Sequence, residues 1–171
     1  MEEILIVDGY NIIGDWPNLR EIKDRGELEE ARDSLLNWLI EYKVYTGREV
    51  YVVFDAHQVP GLGKQYRKKS IIIYYTKENE TADELIERLV SKLKSRKRRI
   101  YVATSDYTEQ NVIFAQGALR ISARELEIEK KITRKSIESQ VSSSKKEMRS
   151  NIMSSLDEEK IKFLENWRRK K

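Results

Sequence analysis

The chain has 171 residues, of which 39% are hydrophobic and 36% charged, with a net charge of +4. That length suits one domain with a substantial core, and no apolar run approaches the roughly 20 residues of a membrane-spanning helix. The absence of cysteine excludes disulfides, thiolate zinc sites and thiol nucleophiles, and the single histidine, His57, excludes a two-histidine acid–base ribonuclease.

The charge is uneven. Residues 1–119 hold 18 Lys and Arg against 20 Asp and Glu, whereas residues 120–171 hold 15 against 9. A basic tail half points to a polyanionic partner. The N-terminus lacks the basic-then-apolar layout of a signal peptide, so the expectation is a cytoplasmic protein with no membrane partner. Nothing in the sequence fixes the oligomeric state.

In chain order, Ile4–Val7 reads as a buried strand. Residues 27–45 carry Leu28, Ala31, Leu35, Leu39 and Tyr42 at helical spacing, ending near Gly47. "VYVVFD" (50–55), "SIIIYYT" (70–76) and "IYVATS" (100–105) are three further strands. Between the last two, residues 81–93 place Leu85, Ile86, Leu89, Val90 and Leu93 on one helix face. Residues 108–116 read as a short helix stopped by Gly117, and Ser122 caps another that runs to about Lys131. The β-α-β-β-α-β-α order predicts a three-layer α/β domain with a mostly parallel sheet over residues 1–132. Residues 133–151 are Ser- and Lys-rich with few large apolar side chains and read as a linker. A final helix carries Ile161, Leu164 and Trp167 after a cap at Ser155, so residues 133–171 form a basic extension. Trp38 and Trp167, at helical spacing, are expected to face a core.

Three of the four predicted strands run into an aspartate, namely Asp8, Asp55 and Asp106, and Asp83 begins a helix in "NETADE". In a parallel sheet, ligands bind outside the carboxyl ends of the strands. Each acid alone also fits a turn or a helix cap; together they predict one edge crowded with carboxylates. Such crowding is unfavourable without counter-charge, and an all-oxygen donor set suits Mg²⁺ or Mn²⁺, which activate water against a phosphodiester. Other acidic or phosphate-binding motifs fail. The residue two positions after Asp8 is Tyr10, not a second aspartate, and "PGLGKQ" lacks the spacing of a phosphate loop.

The blocks "IVDGYNII", "VVFD", "ETADE", "ATSDYTEQ" and "GALRISARELE", in that order, closely resemble the NYN domain of the YacP type, a branch of the PIN-like metal-dependent nucleases. The resemblance covers nearly the whole chain. It implies a PIN-like α-β-α fold and an endoribonuclease that acts on messenger RNA at the ribosome. Carried over residue by residue, it implies that Asp8, Asp83 and Asp106 bind metal and that Asn11 orients water or the scissile phosphate. Asp55 either binds metal through water or holds the site together. Glu80 either supplements Asp83 or faces solvent, and Ser105 either bonds phosphate or finishes its strand.

For RNA contact, "GKQYRKKS" (63–70) places Lys64, Arg67, Lys68 and Lys69 around Tyr66 in what reads as a loop, either an RNA-binding one or a solvated connection. "KSRKRR" (94–99) joins a helix to a strand at the opposite edge and reads as a helix C-terminal charge cluster or a ribosomal RNA contact. Tyr10 and Tyr107, which flank the acids, either contact bases or pack as core. The expectation is thus a metal-dependent endoribonuclease. The rivals are a non-catalytic RNA- or ribosome-binding module and a small-molecule phosphohydrolase, which would leave the basic segments without a role.

Overall fold

In the computed structural model, residues 1–56, 65–106, 113, 116–155 and 162 are described. They fall into two compact units, Met1–Lys131 and Ile132–Lys171. The first holds β1 (Glu2–Asp8), α1 (Gly9–Asp15), α2 (Pro17–Asp24), α3 (Leu28–Thr46), β2 (Glu49–Phe54), β3 (Gln65–Lys68), β4 (Ile71–Tyr75), α4 (Ala82–Leu93), β5 (Arg98–Ala103) and β6 (Leu119–Ile121). A long helix, α5 (Ala123–Ser155), begins in this unit and runs on into the second.

Among the described residues the sheet has six strands in the order β3-β4-β2-β1-β5-β6. Every pairing is parallel except that of β3 with β4. The expected mostly parallel sheet between helical layers is therefore present. Strand β1 is buried on both faces, and its side chains alternate between two cores. Leu5 and Val7 join Leu35, Trp38 and Leu39 of α3, while Ile4 and Ile6 join Leu85, Ile86, Leu89 and Val90 of α4. This period-two division is why the strand reads as a continuous apolar run. The chain builds β2 on one side of β1 and β5 on the other, so the order reverses beside β1. A crevice opens at such a reversal, outside the carboxyl ends of the strands.

Four features depart from the sequence expectations. Helices α1 and α2 were not foreseen, because 7 and 8 residues give too few turns to show a period. The stretch read as a basic loop is largely strand. Gln65–Lys68 pairs antiparallel with Ile71–Tyr74, and Lys69 takes the turn at a φ of 54°. Strand β6 is three residues long, too short for any alternation. Finally, residues 133–151, read as a linker, are helical throughout as part of α5. The segment contains neither Gly nor Pro. Serine hydroxyls there bond back to carbonyls three or four residues earlier, as in Ser142 and Ser143 to Ser139, and Arg134 pairs with Glu138. A polar helix of this kind carries no apolar stripe for a sequence reading to detect.

The predicted helices over 108–116 and after Ser155 fall mostly outside the described residues, as do Trp167 and His57. Trp38 does face the core. No described helix is long and apolar enough to cross a membrane.

Candidate active site at the carboxyl edge

Asp8 ends β1 and serves as the N-cap of α1, its Oδ1 accepting the backbone N–H of Asn11 at 3.3 Å. The carboxylate that closes the strand therefore also opens the helix. Gly9 permits this abrupt change of direction. A Cβ built on it would meet the Phe54 ring at 2.2 Å, so only a bare α-carbon lets α1 start against β2.

Asn11 has a different task. Its Oδ1 accepts the backbone N–H of Ser105 at 2.8 Å, joining the ends of β1 and β5. Because a backbone donor fixes the amide orientation, the NH₂ group is the end left to face other partners. Ser105 in turn accepts the Ala123 N–H on its Oγ at 3.3 Å, at the start of α5. The hydroxyl thus finishes the strand end and steadies a helix entry.

Asp55 directly follows β2. That strand end is pinned to β4 by buried Thr76, whose N–H donates to the Phe54 carbonyl and whose Oγ1 accepts the Ala56 N–H at 2.8 Å. Asp83 is the second residue of α4. A reciprocal capping box between Thr81 and Glu84 fixes this helix start.

Asp8, Asn11, Asp55 and Asp83 line one open cleft of about 430 Å³, together with Tyr10, Thr81 and Ala82. Asp106, exposed beyond β5, has its N–H held by Thr104 Oγ1. The acids act on one another. Burial pushes the Asp8 carboxyl up to about 6, against the lowering effect of the Asn11 N–H, and Asp83, Asp106 and Asp55 raise it further. Asp83 is also raised, by burial first and then by Asp106 and other acids. A carboxylate edge with this negative field is the environment expected to attract a cation.

Glu80 does not face solvent. It is 9% exposed and paired with Arg88, and it accepts the Lys77 N–H at 3.3 Å. Its burial and its pairing follow from the turn that leads into α4. Of the proposed RNA-contacting residues, Lys64 lies outside the described residues, and Tyr66 and Arg67 are described in backbone alone, on β3. Lys68 pairs with Asp33 of α3 at 2.7 Å, and Lys69 is exposed in the turn. Tyr107 lies outside the described residues. Tyr10 packs its ring on Phe54, and its hydroxyl accepts a hydrogen bond from Arg32 at 2.9 Å. Arg32 was missed because a lone arginine on a helix gives no signal. Thr76 was missed because its partner is a backbone group on a neighbouring strand.

A parallel α/β sheet with aspartates gathered at its carboxyl edge agrees with the family comparison. The family model for the YacP-like NYN domain matches residues 5–169, and the chain belongs to that family, part of the NYN/PIN-like nucleases. Among particular relatives, it is 50% identical over 167 residues to the uncharacterized protein YacP of Bacillus subtilis (strain 168), covering 98% of this chain and 97% of the relative. It also resembles the crystal structure of Rae1 (YacP) from Bacillus subtilis, with a TM-score of 0.75 at 50% identity, covering 97% of this chain and 94% of that one. A tryptophan-to-leucine mutant of that protein gives a TM-score of 0.76 at 43% identity, covering 97% and 99%.

NYN nuclease domains are in general dependent on divalent metal ions. The donor set here fits such an ion in kind, since Asp8, Asp55, Asp83 and Asp106 offer hard oxygens. Among the described residues, however, no group of three or more His, Asp or Glu side chains is drawn together tightly enough to hold a metal ion. The acids share an edge without a closed coordination shell.

Proposed function

We propose that the protein is a metal-dependent endoribonuclease that hydrolyses RNA phosphodiester bonds, with messenger RNA on the ribosome as its substrate. The observation that carries this reading is the cleft beside β1, where acids from three separate segments face one space. Membership of a nuclease family supports it.

Asp8, Asp83 and Asp106 would hold Mg²⁺ or Mn²⁺, with Asp55 as a further acid. When bound, the ion supplies counter-charge to the acids and the phosphate and acidifies water. The chain's own groups do the rest. Asn11 fixes the distance between the β1 and β5 ends and presents its amide NH₂ as a donor to water or a phosphate oxygen. The capping box keeps Asp83 aimed from α4. The basic hairpin around β3 neutralises phosphates of the incoming strand.

The testing experiment maps cleavage on translated messenger RNA with wild type and Asp83→Asn, with Mg²⁺, Mn²⁺ or chelator. Cutting by wild type that chelator and Asp83→Asn both abolish is the expected result. Ribosome or RNA association with no cutting under any condition would leave the non-catalytic binding module as the reading.

A further inference from the structure

Beside the acids stands a group of side chains that phosphodiester hydrolysis does not use. Tyr10 lines the cleft with Asp8, Asp55 and Asp83. Its ring lies against Phe54, with centroids 5.0 Å apart and planes at 57°. Phe54 is fully buried and also stacks with Tyr75, at 5.7 Å and 28°. Both tyrosines are half-buried, so each presents part of its surface outward. Arg32, half-buried on α3, donates from Nη1 to the Tyr10 hydroxyl at 2.9 Å and lies within electrostatic reach of the Tyr75 phenol. The chain itself ties this group to the acids, since Phe54 immediately precedes Asp55 and Tyr10 comes two residues after Asp8.

Simple packing needs none of the polar part of this arrangement, because a phenylalanine at position 10 would cover Phe54 equally well. The bond from Arg32 instead helps hold the Tyr10 ring in one orientation and sets a half-buried guanidinium beside it. An aromatic face held in place with a cation beside it matches the π-face of an unpaired base. A base inside a duplex has both faces covered by its neighbours and cannot use such a surface.

We propose that Tyr10, Arg32 and Tyr75 form a nucleobase subsite at the rim of the acid cleft, which stacks one unpaired base next to the phosphate at Asp8, Asp55 and Asp83. The inference rests on the nuclease reading for the phosphate position and makes the substrate single-stranded at the cut.

The test uses the full chain carrying Asp83→Asn, so that nothing is cut, and short single-stranded RNAs with 2-aminopurine placed at successive positions. The fluorophore is expected to be quenched at one position and not at the others. An abasic nucleotide there should raise Kd by roughly 5- to 150-fold, the range spanned by stacking of one base. Adding Tyr75→Leu or Tyr10→Leu should remove the position-specific quench, while Tyr10→Phe should retain most of it. The same abasic RNAs are offered to wild type in a cleavage assay. A position-specific quench that Tyr75→Leu abolishes supports the subsite even if wild type does not cut, in which case the nuclease reading alone fails. Cleavage that tolerates every abasic position, with no position-specific quench, overturns the subsite and leaves the nuclease reading intact. Folded protein, checked by circular dichroism, that binds none of the RNAs also overturns it.

Discussion

Asn11 and Ser105 are 94 residues apart in the chain and joined by a 2.8 Å hydrogen bond. The bond ties the ends of two adjacent parallel strands at the level where the acids begin. Asn11→Ala removes the acceptor and leaves the Ser105 N–H without its partner, at a cost of about 1–2 kcal/mol. Asn11→Asp keeps an acceptor but adds charge to the cleft, so it should be close to wild type in Mg²⁺ and weaker in chelator. Urea midpoints of the two variants, with and without Mg²⁺, check this. Equal loss in both variants under both conditions would remove the charge argument.

Asp8 predicts a dependence on pH. Its folded value near 6 exceeds the ordinary value of 3.8, chiefly through burial. A carboxyl raised in this way stabilises the fold fully while protonated, below about pH 4, and that contribution is lost as pH rises through about 6. Asp8→Asn keeps a good helix cap without the charge. In chelator it should be more stable than wild type at pH 7.5, by at most about 3 kcal/mol, and nearly equal to it at pH 4. Mg²⁺ should raise the Tm of wild type more than that of the variant. A stability difference independent of pH would refute the assignment.

The chemistry of cutting predicts the ends. With one histidine in the chain and acids in the cleft, the proposed reaction should use water as the attacking group and not the RNA's own 2′-hydroxyl. Products should carry 5′-phosphate and 3′-hydroxyl termini, and RNA with a 2′-deoxy nucleotide at the cut should still be cleaved. Recovery of 2′,3′-cyclic phosphate would rule out this route.

Gly9→Ala should be among the most damaging small substitutions. The added methyl meets Phe54 at 2.2 Å, deep beneath Tyr10. Overpacking of this kind costs about 1–3 kcal/mol. Thermal unfolding measures it, and a Tm equal to wild type would mean that the ring yields freely.

The hairpin of β3 and β4 predicts a salt effect. Replacing Lys64, Arg67 and Lys69 by alanine should lower the log–log salt slope of RNA or ribosome binding by roughly 0.7 per lost phosphate contact on single strands. Lys68 should matter less, because Asp33 already holds its ammonium at 2.7 Å. An unchanged slope returns the hairpin to plain solvated surface.

The sequence disclosed what depends on long, regular patterns. Strands β1, β2, β4 and β5 are runs of β-branched and aromatic residues, and α3 and α4 carry apolar residues at helical spacing. The acids were legible for the same reason, since Asp8, Asp55 and Asp106 were recognised from the strand ends they follow. Pairings across the fold were not legible. Nothing in the one-dimensional pattern says that Asn11 meets Ser105, that Glu80 turns inward to Arg88, or that Arg32 reaches Tyr10. Strand β3 was hidden because its residues are polar and its partner strand supplies the order. The polar half of α5 was hidden because composition alone does not separate a solvated helix from a linker.

The pairing of Asn11 with Ser105, and of Ser105 with Ala123, bears on the birth of the protein. A chain emerging from its exit tunnel presents Asp8 early, but β5, Ser105 and Asp106 arrive much later, and the start of α5 later still. Synthesis from the N-terminus therefore leaves the edge incomplete until most of the chain is out. A nascent copy therefore lacks the completed acid edge until its own translation is nearly finished.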